Sequence, residues 1–149
     1  MKIAIGADHH GFQLKEVVKA HLSRLGHEVH DLGCDSEEPV DYPDVAVKVA
    51  AEVVEHSAER GVLVCGTGLG MAIAANKVPG VRAASVSDPY SAERLVKSNN
   101  AQVICLGGKV VSAEVATLLI DHWLASEFAG GESARKVAKL EALDARRQP

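Results

Sequence analysis

Cys65 stands against three alternating glycines, Gly66, Gly68 and Gly70, in the stretch VLVCGTGLGMAIAANK over residues 62–77. Two kinds of cysteine fit that junction: an inert, buried small hydrophobe, or a base held over a site for negative charge. Glycine accepts positive φ and lets the main chain approach a ligand closely. Successive N–H groups at the start of a helix then form an anion cradle, helped by the helix dipole. The same field favours thiolate over thiol at Cys65. Cys34, in a loop, and Cys105, within an apolar run, keep the core reading. Cys65 differs by its place at a strand's carboxyl end, facing backbone donors.

Other chemistry is sparse. A dinucleotide fingerprint needs glycine at position 71, which is Met71, although Asp88, 20 residues past Gly68, keeps that reading open. No Gly-Lys-Ser/Thr occurs, which excludes a Walker loop. His9 and His10 follow the first apolar run beside Asp8, where a histidine can move protons near neutral pH. His21, His27, His30, His56 and His122 fall in helix or strand patterns and read as surface or core residues. No cluster has metal-ligand spacing, so neither metal nor cofactor is expected.

These residues need a frame. Apolar runs at 2–7, 27–32, 61–65, 81–86 and 102–106 read as strands. Helical patterns fill 12–25, 44–57, 71–77, 91–98, 112–126 and 133–147, and an acidic loop with two prolines spans 33–43. Such alternation implies right-handed βαβ units and a five-stranded parallel sheet with helices on both faces. Ligands of such sheets bind beyond the strands' carboxyl ends, near a topological switch. Those ends are 7–10, 32–34, 65–70, 87–90 and 106–109, where polar and glycine residues collect.

Composition agrees. The 149 residues suit one domain over 1–149, and 47% are hydrophobic. A net charge of −4 with no basic stripe, and 3% aromatics, excludes a nucleic-acid surface. No apolar run approaches the ~18 residues of a membrane span. The run at 2–6 is too short for a signal segment. Three cysteines, an odd count, argue against a disulfide framework, so a cytoplasmic setting is expected.

Five segments in one order carry a resemblance: IGADHHGFQLKE near the start, DYPD at 41–44, VCGTGLGMAIAANK at 64–77, SDPYSAE at 87–93 and NNAQVICLGG at 99–108. Together the chain resembles the type B ribose-5-phosphate isomerases, a family that includes the galactose-6-phosphate isomerase subunits. The resemblance implies a Rossmann-like three-layer α/β/α domain forming a homodimer or tetramer, with a site shared between subunits. It also implies metal-free interconversion of an aldose and a ketose phosphate. On that likeness Cys65 matches the base that moves a proton between C1 and C2 through a cis-enediolate. The amides of 66–70 match the oxyanion cradle, with Thr67 beside it. Asp8 and His9 match the pair that handles substrate hydroxyls, and Tyr42 a pocket residue, with His10 a candidate beside them. Asn99 is a candidate site support, although an Asn pair ending a helix is also an ordinary cap. Some relatives carry glutamate at the place of Met71 and lack the cysteine; this chain resembles the cysteine branch.

Two departures stand out. Where these isomerases usually have a histidine credited with opening the sugar ring, this chain has Ser98, which does not titrate near neutral pH. His9, His10 or Asp8 would then open a cyclic sugar. Alternatively the substrate is acyclic: a tetrose 4-phosphate, with O4 esterified, forms no furanose. Glu132 and Lys136 stand where arginines usually grip phosphate; lysine keeps the charge but loses the fork. Lys109 and Arg135 are the remaining cations for that task. An unphosphorylated short sugar is a third substrate class, and a sugar- or nucleotide-binding module without catalysis is the competing function. The C-terminal helix is a solvated face by default, or packs on a dimer partner.

Overall fold

The computed structural model describes residues 1–146. Parallel strands β1 (Lys2–Ala7), β2 (Glu28–Asp31), β3 (Arg60–Cys65), β4 (Ala83–Ser85) and β5 (Val103–Gly107) form one sheet in the order β2-β1-β3-β5-β4. Between and after them run α1 (Phe12–Arg24), α2 (Tyr42–Val54), α3 (Leu69–Ala75), α4 (Pro89–Lys97), α5 (Ala113–Leu124) and α6 (Glu132–Ala145). This is the Rossmann-like α/β arrangement that the alternation and the resemblance imply.

Both faces of the sheet are covered, which is why its strands read as unbroken apolar runs. Successive side chains point to opposite faces. Ile3, Ile5, Val62, Val64, Ile104 and Leu106 meet α1, α4 and α5 through residues such as Val18, Leu95 and Trp123. Ala4, Leu63, Cys65, Val103 and Cys105 meet α2 and α3 through Val45, Val49, Met71 and Ala75. The fully buried Trp123 lies under the Arg60 guanidinium, 5.1 Å from ring centre to Cζ. Arg60 also donates to the carbonyls of Trp123 and Ser126, closing the end of α5.

Several boundaries move. Tyr42 and Pro43, expected in the acidic loop, open α2, because proline's fixed φ suits a first helical turn. The fourth strand, expected over 81–86, is only Ala83–Ser85, an edge strand with β5 as its one neighbour. The third helix starts at Leu69 instead of 71. The expected end of the last helix at Arg147 lies outside the described residues. That helix, α6, is tied to the turn before β4, where Asp144 Oδ2 accepts the Gly80 N–H at 3.0 Å.

Candidate active site

The chain leaves β1 toward β2 on one side and returns through α2 to β3 on the other. The switch point therefore falls between β1 and β3, and Asp8 and Cys65 follow those strands there. Asp8 donates its N–H to Val64 O at 3.2 Å. Its Oδ1 accepts the N–H groups of His10 (3.0 Å) and Gly11 (3.1 Å), a side-chain turn that aims the histidine corner. Asp8 is buried. His9 Nδ1 accepts the Val40 N–H at 3.2 Å, which puts the neutral ring's proton on Nε2. The two histidine rings lie 4.2 Å apart.

Cys65 Sγ accepts the Gly68 N–H at 3.1 Å. The side chain is 5% exposed and packs beside Met71 and Cys105. Gly68 sits at φ 78°, a left-handed value that suits glycine, and α3 starts at the next residue. Leu69 N–H bonds Thr67 Oγ1 at 3.2 Å. The N–H groups of Gly70 and Met71, in the first helical turn, find no acceptor in the chain among the described residues. Met71 is fully buried, so the donor within a ligand's reach is the amide of the partly exposed Gly70, with an exposed Thr67 before it, and such a donor is what an oxyanion needs. The other thiols differ. Burial, then the neighbouring Cys65, drives the Cys105 thiol far above its ordinary range, and burial pushes Cys34 up. Both are protonated core groups, as expected from their places.

The loop's floor is built without side chains. A Cβ at Gly107 would lie 2.8 Å from the Thr67 carbonyl carbon, and one at Gly68 would lie 2.5 Å from Ser85 Oγ. Ser85 Oγ donates to Thr67 O at 3.0 Å, pinning the loop to the end of β4. Ser85 was missed by sequence reasoning; its only signal is its place at a strand's carboxyl end. The Tyr42 ring covers Gly70. On the other side, a Cβ at Gly66 would meet His10 Cβ at 3.6 Å and Lys109 Cδ at 3.7 Å, so both flank the cradle.

The fold thus gathers Cys65, Thr67, Gly66, Gly68, Gly70, His10, Tyr42 and Lys109 around one loop, with Asp8 and His9 on the adjacent strand end. Four candidates are elsewhere in the chain. Ser98 and Asn99 end α4, beside the start of β5, whereas Cys65 pairs in register with Gly107 at that strand's far end. A strand of that length separates them by ~13 Å or more at ~3.3 Å per residue. Arg135 and Lys136 are exposed on α6, whose neighbour is likewise the turn before β4.

Sequence reasoning also missed a buried ion cluster behind the site. Lys15 is fully buried, and its Nζ donates to both Asp31 oxygens and to Cys34 O, each at 2.8 Å. Asp31 in turn accepts the Gly33 N–H, and Gly33 O takes the Ala7 N–H, so the cluster braces the end of β1. A lysine inside the apolar stripe of Leu14, Val18 and Leu22 was the available signal. Among the described residues, no group of three His, Cys, Asp or Glu side chains is placed to hold a metal. No helix there is long and apolar enough to cross a membrane.

Comparison with known proteins agrees with this geometry. A family model described as ribose/galactose isomerase matches residues 3–140. The chain is 47% identical over 144 residues to ribose-5-P isomerase B of Listeria innocua, covering 97% of each. It is 49% identical over 142 residues to D-erythrulose-4-phosphate isomerase of Pectobacterium atrosepticum, covering 94% of this chain and 93% of that one. Its backbone superimposes on the structure of Clostridium thermocellum ribose-5-phosphate isomerase B with a TM-score of 0.98, at 43% identity, over 99% of this chain and 100% of that one.

Proposed function

Because the chain belongs to the ribose/galactose isomerase family, we propose that it interconverts ribose 5-phosphate and ribulose 5-phosphate, with Cys65 as the base. One observation carries this reading: a thiol sulfur bonded to Gly68 N–H, in the same loop whose partly exposed Gly70 has an amide without an acceptor in the chain among the described residues.

In the forward direction the Cys65 thiolate takes the proton from C2 of the open-chain aldose. The C2–H electron pair forms the C1–C2 double bond, and the carbonyl pair moves onto O1. The loop amides hold that oxygen anion; one such donor is worth ~3 kcal/mol in a dry site. The Cys65 thiol then returns the proton to C1, while O1 gains a proton and O2 gives one up. His9 Nε2–H and the Asp8 corner orient the hydroxyls that exchange it. A base near working pH serves both directions and contributes ~10²–10⁴ in rate.

A second copy of the chain supplies Ser98, Asn99, Arg135 and Lys136. Their distance from Cys65 within one chain supports this, and so does the charge of the substrate. The phosphate is a dianion, while this chain is itself acidic and its gathered site holds Lys109 as the cation of its rim. Glu132, beside those two cations, weakens the grip relative to a pair of arginines.

Ser98 favours a second reading, an acyclic tetrulose phosphate such as erythrulose 4-phosphate, and one relative bears that activity in its name. Comparing kcat/KM for ribose 5-phosphate and erythrulose 4-phosphate separates the two. The first reading expects ribose 5-phosphate to be preferred and Ser98→His to change its turnover little, because another group already opens the ring. Preference for erythrulose 4-phosphate by orders of magnitude overturns it.

A further inference from the structure

We propose that Arg82 is a positioning residue for the corner one copy offers to the other's Cys65, an inference that rests on the shared site proposed above. Its backbone is anchored first. The Arg82 N–H donates to Gln102 Oε1 at 2.9 Å, its carbonyl accepts the Val103 N–H at 3.2 Å, and Gln102 Nε2 holds Gly80 O at 2.9 Å. The root of the side chain is therefore fixed to the start of β5.

The guanidinium then reaches out. Its Nε donates to Asn99 O (3.1 Å) and Asn100 O (3.0 Å), and Nη2 donates to Asn100 O at 2.8 Å. These carbonyls follow the α4 C-cap, Ser98, at the negative end of the helix dipole, where a cation is favoured. Asn100 holds a left-handed φ of 47°, a turn an L-residue keeps only where its surroundings impose it. Nη1 faces Glu141 Oε1 of α6 at 3.9 Å, and Asp144 of the same helix binds Gly80 N–H. The turn 80–82 thus carries both the Asn99 corner and the helix bearing Arg135 and Lys136.

Core packing of Leu95, Val96 and Ala101 fixes the base of the corner, but not its outer side. A cavity of about 420 Å³, lined by Arg82, Asn99, Leu140 and Asp144 among others, lies between the two elements. The fork of one arginine spans that space. Lysine gathers its donors on one nitrogen and has no planar fork to reach the Asn99 and Asn100 carbonyls and Glu141 from separate nitrogens. Arg82 itself touches no substrate; it sets where Ser98 and Asn99 stand.

The test is complementation between variants. Arg82→Gln alone, assayed with the better of ribose 5-phosphate and erythrulose 4-phosphate, loses about tenfold or more in kcat/KM. Cys65→Ser alone is inactive. Mixed dimers of the two, isolated with two different tags, recover about half the wild-type activity, because one of their two sites combines an intact Cys65 with an intact corner. Asn99→Ala paired with Cys65→Ser is the control and recovers likewise. If the control pair recovers and the Arg82 pair does not, Arg82 acts within its own chain and the proposal is overturned. Wild-type activity of Arg82→Gln overturns it too. If neither pair recovers, or Asn99→Ala keeps full activity, the shared corner itself is wrong. Should Arg82→Gln fail to fold, Arg82→Lys, which keeps the charge without the fork, takes its place under the same criteria.

Discussion

A Cβ on Gly70 would lie 2.8 Å from both Cε2 and Cζ of Tyr42, so the tyrosine ring rests directly on the main chain of the loop that follows Cys65. Tyr42 is 39% exposed and can swing away into solvent. Gly70→Ala is expected to displace the ring at a cost in stability within ~1 kcal/mol. Its kcat/KM falls about tenfold or more, since small displacements of positioning groups are costly to rate. Tyr42→Phe keeps the ring and loses less. Steady-state kinetics beside thermal melting check both, and an unaltered kcat/KM in Gly70→Ala would remove Tyr42 from the pocket.

Cys65→Ser tests the base. The Gly68 N–H still finds an oxygen acceptor there, so unfolding free energy stays within ~1 kcal/mol. Exchange of the substrate's C1 or C2 hydrogen with deuterated water, followed by proton NMR, falls ~10²–10⁴-fold. Exchange at the wild-type rate would leave the thiol a spectator.

Ser85→Ala removes the 3.0 Å bond from Ser85 Oγ to Thr67 O. One such bond contributes ~1 kcal/mol. The loop loses its tie to β4, so kcat falls while KM changes less, because the oxyanion forms only during reaction. A rise in KM alone would assign Ser85 to ground-state binding instead.

The acid limb of stability should trace to Asp31. Burial alone would raise its carboxyl pKa, but hydrogen bonds from Lys15, Lys19 and the Gly33 N–H outweigh burial and hold it below the ordinary carboxylate range. A carboxylate depressed in the folded state stabilises fully above its unfolded value, about 3.9. That contribution disappears as pH falls through the folded value. Denaturant midpoints should therefore drop below about pH 4. Asp31→Asn removes one of the two carboxylates around the buried Lys15, which keeps Glu16 at 3.0 Å and the Cys34 carbonyl; it costs ~1–3 kcal/mol near neutral pH, and its acid limb is flatter. An equally steep limb in Asp31→Asn would place the titrating group elsewhere.

Much of this arrangement is legible in the amino-acid sequence. Strands buried on both faces leave unbroken apolar runs, so the alternation and the carboxyl ends where Asp8, Cys65 and Lys109 cluster could be read directly. The distinction between Cys65 and Cys105 followed from position along a strand. For Lys15 the apolar stripe was a signal, but its partner was not legible, because Asp31 becomes a neighbour only once β2 pairs with β1. Ser85 and Arg82 were missed for a related reason. Their bonds to Thr67 and Asn99 depend on β4 taking the sheet's outer edge next to β5, and periodicity carries no strand order. Short edge strands such as β4 also offer too few residues to set their own limits.

The bare glycine floor at Gly68 and Gly107 divides the neighbourhood of the sulfur by mutational freedom. Any side chain added beneath collides with backbone or with Ser85, whereas the lip above, at the exposed Leu69, is open to exchange. A lineage changing its preferred sugar is therefore free to redecorate the rim while inheriting the foundation unaltered.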